Sequence, residues 1–357
     1  MSEGGMPQSY SRASCEEMIY TCPICHASVE LSQDGYVCLK GHPFPCHWGI
    51  PDFRIFDPPY VSGEEETRRV KLLMERYGSM SFRELVSFHL LEVARSNEPE
   101  RLVQQHINFR STSAERGTQR VEQLMRLLGT MQRNLESRSI ALELGCGTGG
   151  NSVALSKVFE KVLGVDIARE ELILARKNLE DNGVENVTLV CACAESLPFA
   201  ENSFDLCNAE ALIEHVRDAK KTIKETRRVL NANGVLSFNS PNRFSILPEP
   251  HVQVWGVGFL PRRFASSYVS LVRGIPYEGK RLLSFRELNR LLKNTYKGNY
   301  RVFTIPGNYA NMGKPASTTS GRIYRKLNRI PLLNRLMRFI ESCFLPIFEV
   351  IAFKESE

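Results

Sequence analysis

No run of about eighteen uninterrupted apolar residues occurs in this 357-residue chain, so a membrane-spanning helix is not expected. An apolar leader is missing too: Met1 to Ser14 is Gly, Ser and other polar residues. Without a leader, the ten cysteines argue against a disulfide framework. In a reducing cytoplasm, clustered cysteines more often bind metal or pack as small apolar side chains. Acids are scarce at the carboxyl end. Residues 241–357 hold 19 Lys and Arg against 7 Asp and Glu, while the preceding residues hold 27 against 33. The net charge of +6 thus averages an acidic front and a basic rear. A basic rear suits a solvated face, an anionic substrate or an anionic surface. The length allows one large domain with a small one beside it, and a substantial core without covalent staples.

The small domain is expected near the start. Cys22-Pro23-Ile24-Cys25 is followed by Cys38 and by Gly41-His42, a C-x2-C pair and a C-x3-H pair separated by twelve residues. Two such pairs on facing turns supply four tetrahedral ligands to structural zinc, Cys22, Cys25, Cys38 and His42. A module this short cannot bury enough apolar surface alone, so metal would contribute much of its folding energy. The fourth ligand is the open point, because Cys46 also lies close behind His42. Asp57-Pro58-Pro59 closes the module. Helical spacing then runs from Glu64 to Asn97 and from Thr118 to Leu135, with a polar loop expected at His106 to Ser113.

The chain is organised around Ile140 to Gly150. An apolar strand, Ile140 to Leu144, breaks into Gly145-Cys146-Gly147-Thr148-Gly149, and Asn151 to Val158 starts a helix. Such a turn lets a ligand approach bare backbone, with the free N–H groups of a helix start behind it. Alone it does not separate cofactors, since nicotinamide and flavin sites use similar turns. Further strands follow at Lys161 to Asp166, Val187 to Cys191, Phe204 to Ala209 and Val235 to Asn239, with a basic helix from Lys220 to Leu230. An acid closing the second strand suits two ribose hydroxyls.

Taken in order, the glycine turn, Asp166, Cys193-Ala194-Glu195-Ser196-Leu197-Pro198-Phe199, Ser203-Phe204-Asp205-Leu206 and Glu214-His215-Val216 carry a resemblance. From Ile140 to Pro241 the chain resembles the class I S-adenosylmethionine (SAM) methyltransferases, in the ubiquinone/menaquinone-type, methyltransferase type 11 branch. The resemblance implies an α/β fold. Its core is a Rossmann-like seven-stranded sheet, to which this chain's own residues add the amino-terminal zinc ribbon and a helical insertion between the last two strands, where a short turn is usual. It also implies roles for SAM. Glu143 lies near the amino-acid end, and Gly145, Cys146, Gly147 and Gly149 line the methionine portion. Asp166 accepts from both ribose hydroxyls, Ile167 packs on adenine, Ala194 and Glu195 lie beside it, and Glu210 is near the methyl. The family's usual Asp before Ala194 is Cys193 here, a poor acceptor, which weakens the adenine contacts. The run from Cys38 to Phe53 resembles ribbons fused to such enzymes.

The implied organisation is a tail at 1–17, a ribbon at 18–56 and a helical linker or lid at 57–135. The methyltransferase domain follows at 136–357, with acceptor-side insertions at about 241–299 and 306–346. His251, in a loop rich in Pro, Gly and aromatics, is the expected general base, because imidazole titrates near neutrality. His215 is the second catalytic candidate, with a structural role as its rival. Ser284 is expected to cap a helix running to Lys293, and Tyr300 to Ile305 and Phe348 to Phe353 to form the last two strands. Between those strands, Lys314 to Arg338 carries seven Lys and Arg and no acid, interleaved with apolar residues. That pattern suits an anionic membrane or a phosphate-bearing acceptor. The expected function is methyl transfer from SAM to a small molecule, lipid or glycan, on oxygen. The alternatives are an rRNA or tRNA base methyltransferase that uses the ribbon, and a non-catalytic adaptor. RNA is the weaker partner, because Lys/Arg–aromatic alternation is lacking.

Overall fold

A computed structural model describes residues 20–94, 100–131, 135, 138–305 and 344–355. The chain forms two compact units. The first comprises residues 1–209, 224–236 and 354–357, the second residues 210–223 and 237–353.

The amino-terminal part of the first unit is a four-stranded antiparallel meander, β1 (Val29–Ser32), β2 (Gly35–Cys38), β3 (Pro43–His47) and β4 (Ile50–Pro51). Gly35 has φ of +143°, and a Cβ there would stand 2.3 Å from the Phe44 carbonyl oxygen, so only glycine lets β2 and β3 close. Tyr20, Tyr36, Phe44 and Phe53 are buried, with ring centroids 4.9 Å apart for Tyr20–Phe53 and 5.0 Å for Phe44–Phe53. This aromatic cluster continues into the main core through Phe199, 6.1 Å from Tyr20.

Four helices follow: α1 (Gly63–Tyr77), α2 (Phe82–Phe88), α3 (Glu100–Ser111) and α4 (Ser113–Thr130). The single helical run expected from Glu64 to Asn97 is broken. Ser81 and Glu84 form a reciprocal capping box that starts α2, which passes into a π-turn at His89–Val93. The loop expected at His106 to Ser113 is mostly helix α3, because Val103 and Ile107, four apart, bury on one face. Helix α4 starts at Ser113 rather than Thr118 and ends at Thr130; Gly117, Val121, Leu124 and Leu128 form its buried stripe.

The main sheet contains β5 (Ile140–Leu144), β6 (Lys161–Asp166), β7 (Val187–Cys191), β8 (Phe204–Glu210), β9 (Leu230–Pro241), β10 (Tyr300–Ile305) and β11 (Ile347–Phe353). Its order is β10-β11-β9-β8-β5-β6-β7. Strand β5 pairs in parallel with β6 and β8, β6 in parallel with β7, and β10 pairs antiparallel to β11. The seven-stranded α/β sheet is the expected one. Strands such as Leu142, Leu144, Val162, Leu163, Val165, Leu206 and Cys207 are buried on both faces, as a sheet covered by helices requires. Helices α5 (Gly150–Leu155), α6 (Arg169–Asp181) and α7 (Ala219–Val229) connect these strands. Strand β9 begins at Leu230, earlier than Val235, and absorbs the Asn233-Gly234 turn with Asn233 at φ +64°.

The second unit adds α8 (Arg262–Arg273) and α9 (Phe285–Tyr296), the latter with a Ser284–Glu287 capping box. Val252, Val254, Val257, Ala265 and Val269 form its local core. The insertion expected at about 306–346, with Lys314 to Arg338, lies almost wholly outside the described residues. Among the described residues, no helix is long and apolar enough to cross a membrane.

Candidate functional site

In the first unit the glycine turn is strung between β5 and β6. Gly145, Gly147 and Gly149 have φ of +73°, +49° and +77°, all in the left-handed region. The amides of Gly145 and Cys146 donate to the Val165 carbonyl at 2.8 and 2.9 Å, which pins the turn to β6. The Gly147 amide donates to Oδ2 of Asp166 at 2.8 Å, and the Ala168 amide to Oδ1 at 2.9 Å. Burial raises the Asp166 carboxyl to about 6, outweighing the backbone donors that pull it down. Gly150 and Gly117 meet where α4 crosses the start of α5. A Cβ on Gly117 would stand 2.3 Å from the Gly150 carbonyl oxygen.

Glu143 is buried on β5, where Oε1 accepts from Asn151 Nδ2 at 3.1 Å and Oε2 from Asn208 Nδ2 at 2.8 Å. Asn208 is a neighbour that no local residue pattern singles out. Ile167 is half-buried and follows Asp166 directly; Ala194 and Glu195 are buried in the segment after β7. Cys193 is buried, with its thiol directed at the Phe56 carbonyl oxygen 3.5 Å away. The position that departs from the family pattern is therefore covered by the segment leaving the ribbon. Glu210 is the last residue of β8 and is half-buried.

The ribbon brings Cys22, Cys25, Cys38 and His42 together, with one donor atom of each within 4.8 Å of the others. Nδ1 of His42 lies 3.4 Å from Cys22 Sγ and 3.6 Å from Cys25 Sγ, and the Cys25 and Cys38 sulfurs are 3.3 Å apart. Three soft thiols and an imidazole at such separations fit a tetrahedral zinc ion. Partial desolvation raises the Cys38 thiol, but the Lys40 amide and the neighbouring Cys25 and His42 outweigh it and lower the thiol to about 6. Cys46 is exposed and lies outside the group, so geometry favours His42 as the fourth donor.

A buried ion network ties the ribbon to the cofactor turn. Arg54 donates to Asp52 at 2.7 Å, to Glu66 at 3.0 Å and to the Ile167 carbonyl at 3.2 Å. Glu66 is fully buried and also takes the amide and Nε of Arg169 at 2.9 and 2.8 Å. The Phe53 amide donates to Cys191 at 2.8 Å, so the ribbon's tail runs along the edge strand β7.

The second unit has its own polar cluster. His251 Nδ1 lies 2.6 Å from Oε1 of Glu249, whose Oε2 accepts the His251 and Val252 amides at 2.8 and 2.9 Å. The Tyr277 hydroxyl donates to the same carboxylate at 3.4 Å. Although Glu249 is desolvated, its bonds to His251 dominate and lower its pKa. His251 Nε2 faces Nε2 of His215 at 3.2 Å. Desolvation of the His215 ring, together with His251 and Lys280, lowers that imidazole to about 4, although the residue as a whole is exposed. Glu214 is fully buried, and burial raises its carboxyl to about 7. Its Oε2 accepts from Ser240 Oγ at 3.1 Å, whereas Oε1 has no hydrogen-bond partner among the described residues. Both predicted histidines thus meet. Glu214, Glu249 and Tyr277 were not among the expected site residues; the signals in the chain were the adjacency of Glu214 to His215 and the Glu249-x-His251 spacing. Nearby, a cavity of about 440 Å³ is lined by Arg217, Lys220, Arg281 and Arg290 among others, and the Arg281 amide donates to the Glu214 carbonyl at 2.7 Å.

Comparison with known proteins gives a consistent picture. Residues 142–238 match the family described as a methyltransferase domain. An uncharacterized methyltransferase, YcgJ, of Bacillus subtilis is 35% identical over 109 residues, which are 30% of this chain and 43% of that protein. A demethylmenaquinone methyltransferase of Bacillus velezensis is 26% identical over 189 residues, covering 51% of this chain and 81% of that protein. The crystal structure of YcgJ superposes with a TM-score of 0.41 at 22% identity, covering 64% of this chain and 98% of that one. The chain therefore spans less than half the length of the first of these relatives and four-fifths of the second.

Proposed function

We propose that this chain, whose residues 142–238 form a methyltransferase domain, transfers a methyl group from SAM to an oxygen of a small-molecule, lipid or glycan acceptor. The observation that carries the choice of oxygen is the Glu249–His251 pair. A hydroxyl must lose its proton as it attacks the sulfonium methyl. A carboxylate accepting from Nδ1–H holds His251 in the tautomer whose Nε2 takes that proton. The carbon–sulfur bond breaks as the carbon–oxygen bond forms, SAM leaves as the thioether, and the proton ends on the imidazole. No covalent enzyme intermediate is needed, so positioning is the protein's main task. Asp166 and the turn at Gly145 to Gly149 would hold the cofactor.

Zinc on Cys22, Cys25, Cys38 and His42 would fold the ribbon, and through Arg54 the ribbon would brace the Ile167 carbonyl beside Asp166. The cavity lining carries four cationic side chains, Arg217, Lys220, Arg281 and Arg290, against two acids, Asp218 and Glu287, a balance that suits an acceptor with an anionic group. A peripheral contact with anionic membrane belongs to the same reading. Exposed Phe264, Leu271 and Val272 lie on α8 among Arg262, Arg263 and Arg273.

The test is isotope transfer from labelled SAM into lipid, small-molecule and RNA fractions, with Asp166→Ala as control. Label in lipid or small molecules, lost in the variant, is the expected result. Label in RNA, with salt-steep RNA affinity, would replace this reading with base methylation. Absence of any transfer would leave the adaptor.

A further inference from the structure

Proton acceptance by His251 requires one imidazole and one carboxylate behind it, yet the second unit assembles two of each. Glu214, His215 and His251 present one carboxylate oxygen and two ring nitrogens that all lie within 4.8 Å of one another. Glu214 is fully buried, with Oε1 lacking a hydrogen-bond partner among the described residues, and a buried carboxylate oxygen is normally satisfied by a donor or a cation.

The histidine geometry points the same way. The two Nε2 atoms are 3.2 Å apart, while the ring centroids are only 4.9 Å apart and the ring planes are inclined at 86°. The rings therefore meet at an angle rather than head-on. Two nitrogens bound to one tetrahedral zinc ion at its usual bond length stand about 3.3 Å apart. Glu249 accepts from Nδ1 of His251, which leaves the Nε2 lone pair available; a carboxylate behind the imidazole is how metal-binding histidines are oriented. A plain hydrogen bond between the rings accounts for the 3.2 Å separation but leaves Glu214 Oε1 without a partner.

We propose that Glu214, His215 and His251 bind a first-row divalent cation, zinc foremost, with Glu249 as the positioning residue behind His251. Two imidazoles and one carboxylate suit zinc or its neighbours, whereas magnesium and calcium require mainly oxygen. Three protein ligands leave a coordination position open, and a hydroxyl there becomes easier to deprotonate, its proton passing to solvent. The role of His251 as proton acceptor is then confined to the metal-free protein. Metal binding here goes beyond the methyl-transfer reading and does not depend on it.

The experiment is metal counting on the full chain by mass spectrometry, followed by titration with Co²⁺ alone. Two metal equivalents per chain are expected, falling to one in His215→Ala and in His251→Ala. His215 is exposed, so its removal spares the fold. Cobalt in the ribbon gives thiolate-to-metal charge-transfer absorption. Cobalt at the second site gives d–d bands alone, and these vanish in the histidine variants. Glu249→Gln is expected to weaken the second site about 10- to 100-fold. A single equivalent in the wild type that both histidine variants retain, with no saturable second Co²⁺, overturns the proposal. So does a second Co²⁺ whose spectrum His215→Ala leaves unchanged.

Discussion

Glu66 in the first unit and Glu214 in the second are both fully buried, and they are treated in opposite ways. Glu66 is closed off by Arg54, by Arg169 and by the Arg169 amide, so every lone pair direction meets a donor. Glu214 has the Ser240 hydroxyl on Oε2 and, among the described residues, no hydrogen-bond partner on Oε1, and burial raises its pKa to about 7. A satisfied buried carboxylate is cement: it joins the ribbon segment, α1 and the start of α6. An unsatisfied one beside two imidazoles is a place for chemistry or for a cation.

The comparison is broken most directly at Glu66. Glu66→Ala removes the carboxylate shared by two buried guanidinium groups and leaves them facing each other with Asp52 as their nearest acid, so a loss of about 3–5 kcal/mol is expected by denaturant unfolding. A loss under 1 kcal/mol would mean that the network is not cement. In the second unit the effect should fall on rate instead. His251→Ala is expected to lower kcat about 100- to 10,000-fold in the metal-free enzyme while leaving SAM affinity unchanged. Calorimetry alongside turnover separates the two quantities. Asp166→Ala, back in the first unit, should do the reverse and weaken SAM binding about 100-fold, because two charge-assisted hydrogen bonds are lost.

The pH dependence follows from the same residue. Asp166 titrates at about 6, and in the proposed role only its carboxylate form would accept from both ribose hydroxyls. SAM affinity should therefore be full above pH 7 and decline as pH falls through 6, and Asp166→Asn should flatten that profile. The smallest effect is at the surface. Leu271 is 85% exposed, so Leu271→Ser should change stability by less than about 0.5 kcal/mol while reducing binding to anionic vesicles. Unchanged vesicle binding would remove α8 from that role.

What was legible in the residues was mostly local. The strand–turn–helix at Ile140 to Gly150 and the acid at Asp166 are short-range patterns that glycine geometry and strand periodicity impose. The C-x2-C and C-x3-H spacing is of the same kind, since turns bring each pair together wherever the module sits. The helices before β5 were less legible. Apolar spacing continued across Gly78 to Ser81, and the capping box at Ser81 and Glu84 outweighed it. Polar residues in α3 masked the two buried positions, Val103 and Ile107, that make it a helix.

By itself, then, the sequence determined the kind of sheet, the glycine turn with its acid, and the three ribbon cysteines. Each of these depends on residues close together in the chain or repeating at a strand's period. Only the tertiary structure decided that His42 joins the cysteines while Cys46 stands apart. It alone turned Cys193 toward Phe56, and it alone set Glu214, His215, Glu249 and His251 side by side. Those outcomes rest on contacts between distant segments, where burial and the demand for hydrogen-bond partners act and local pattern carries no information.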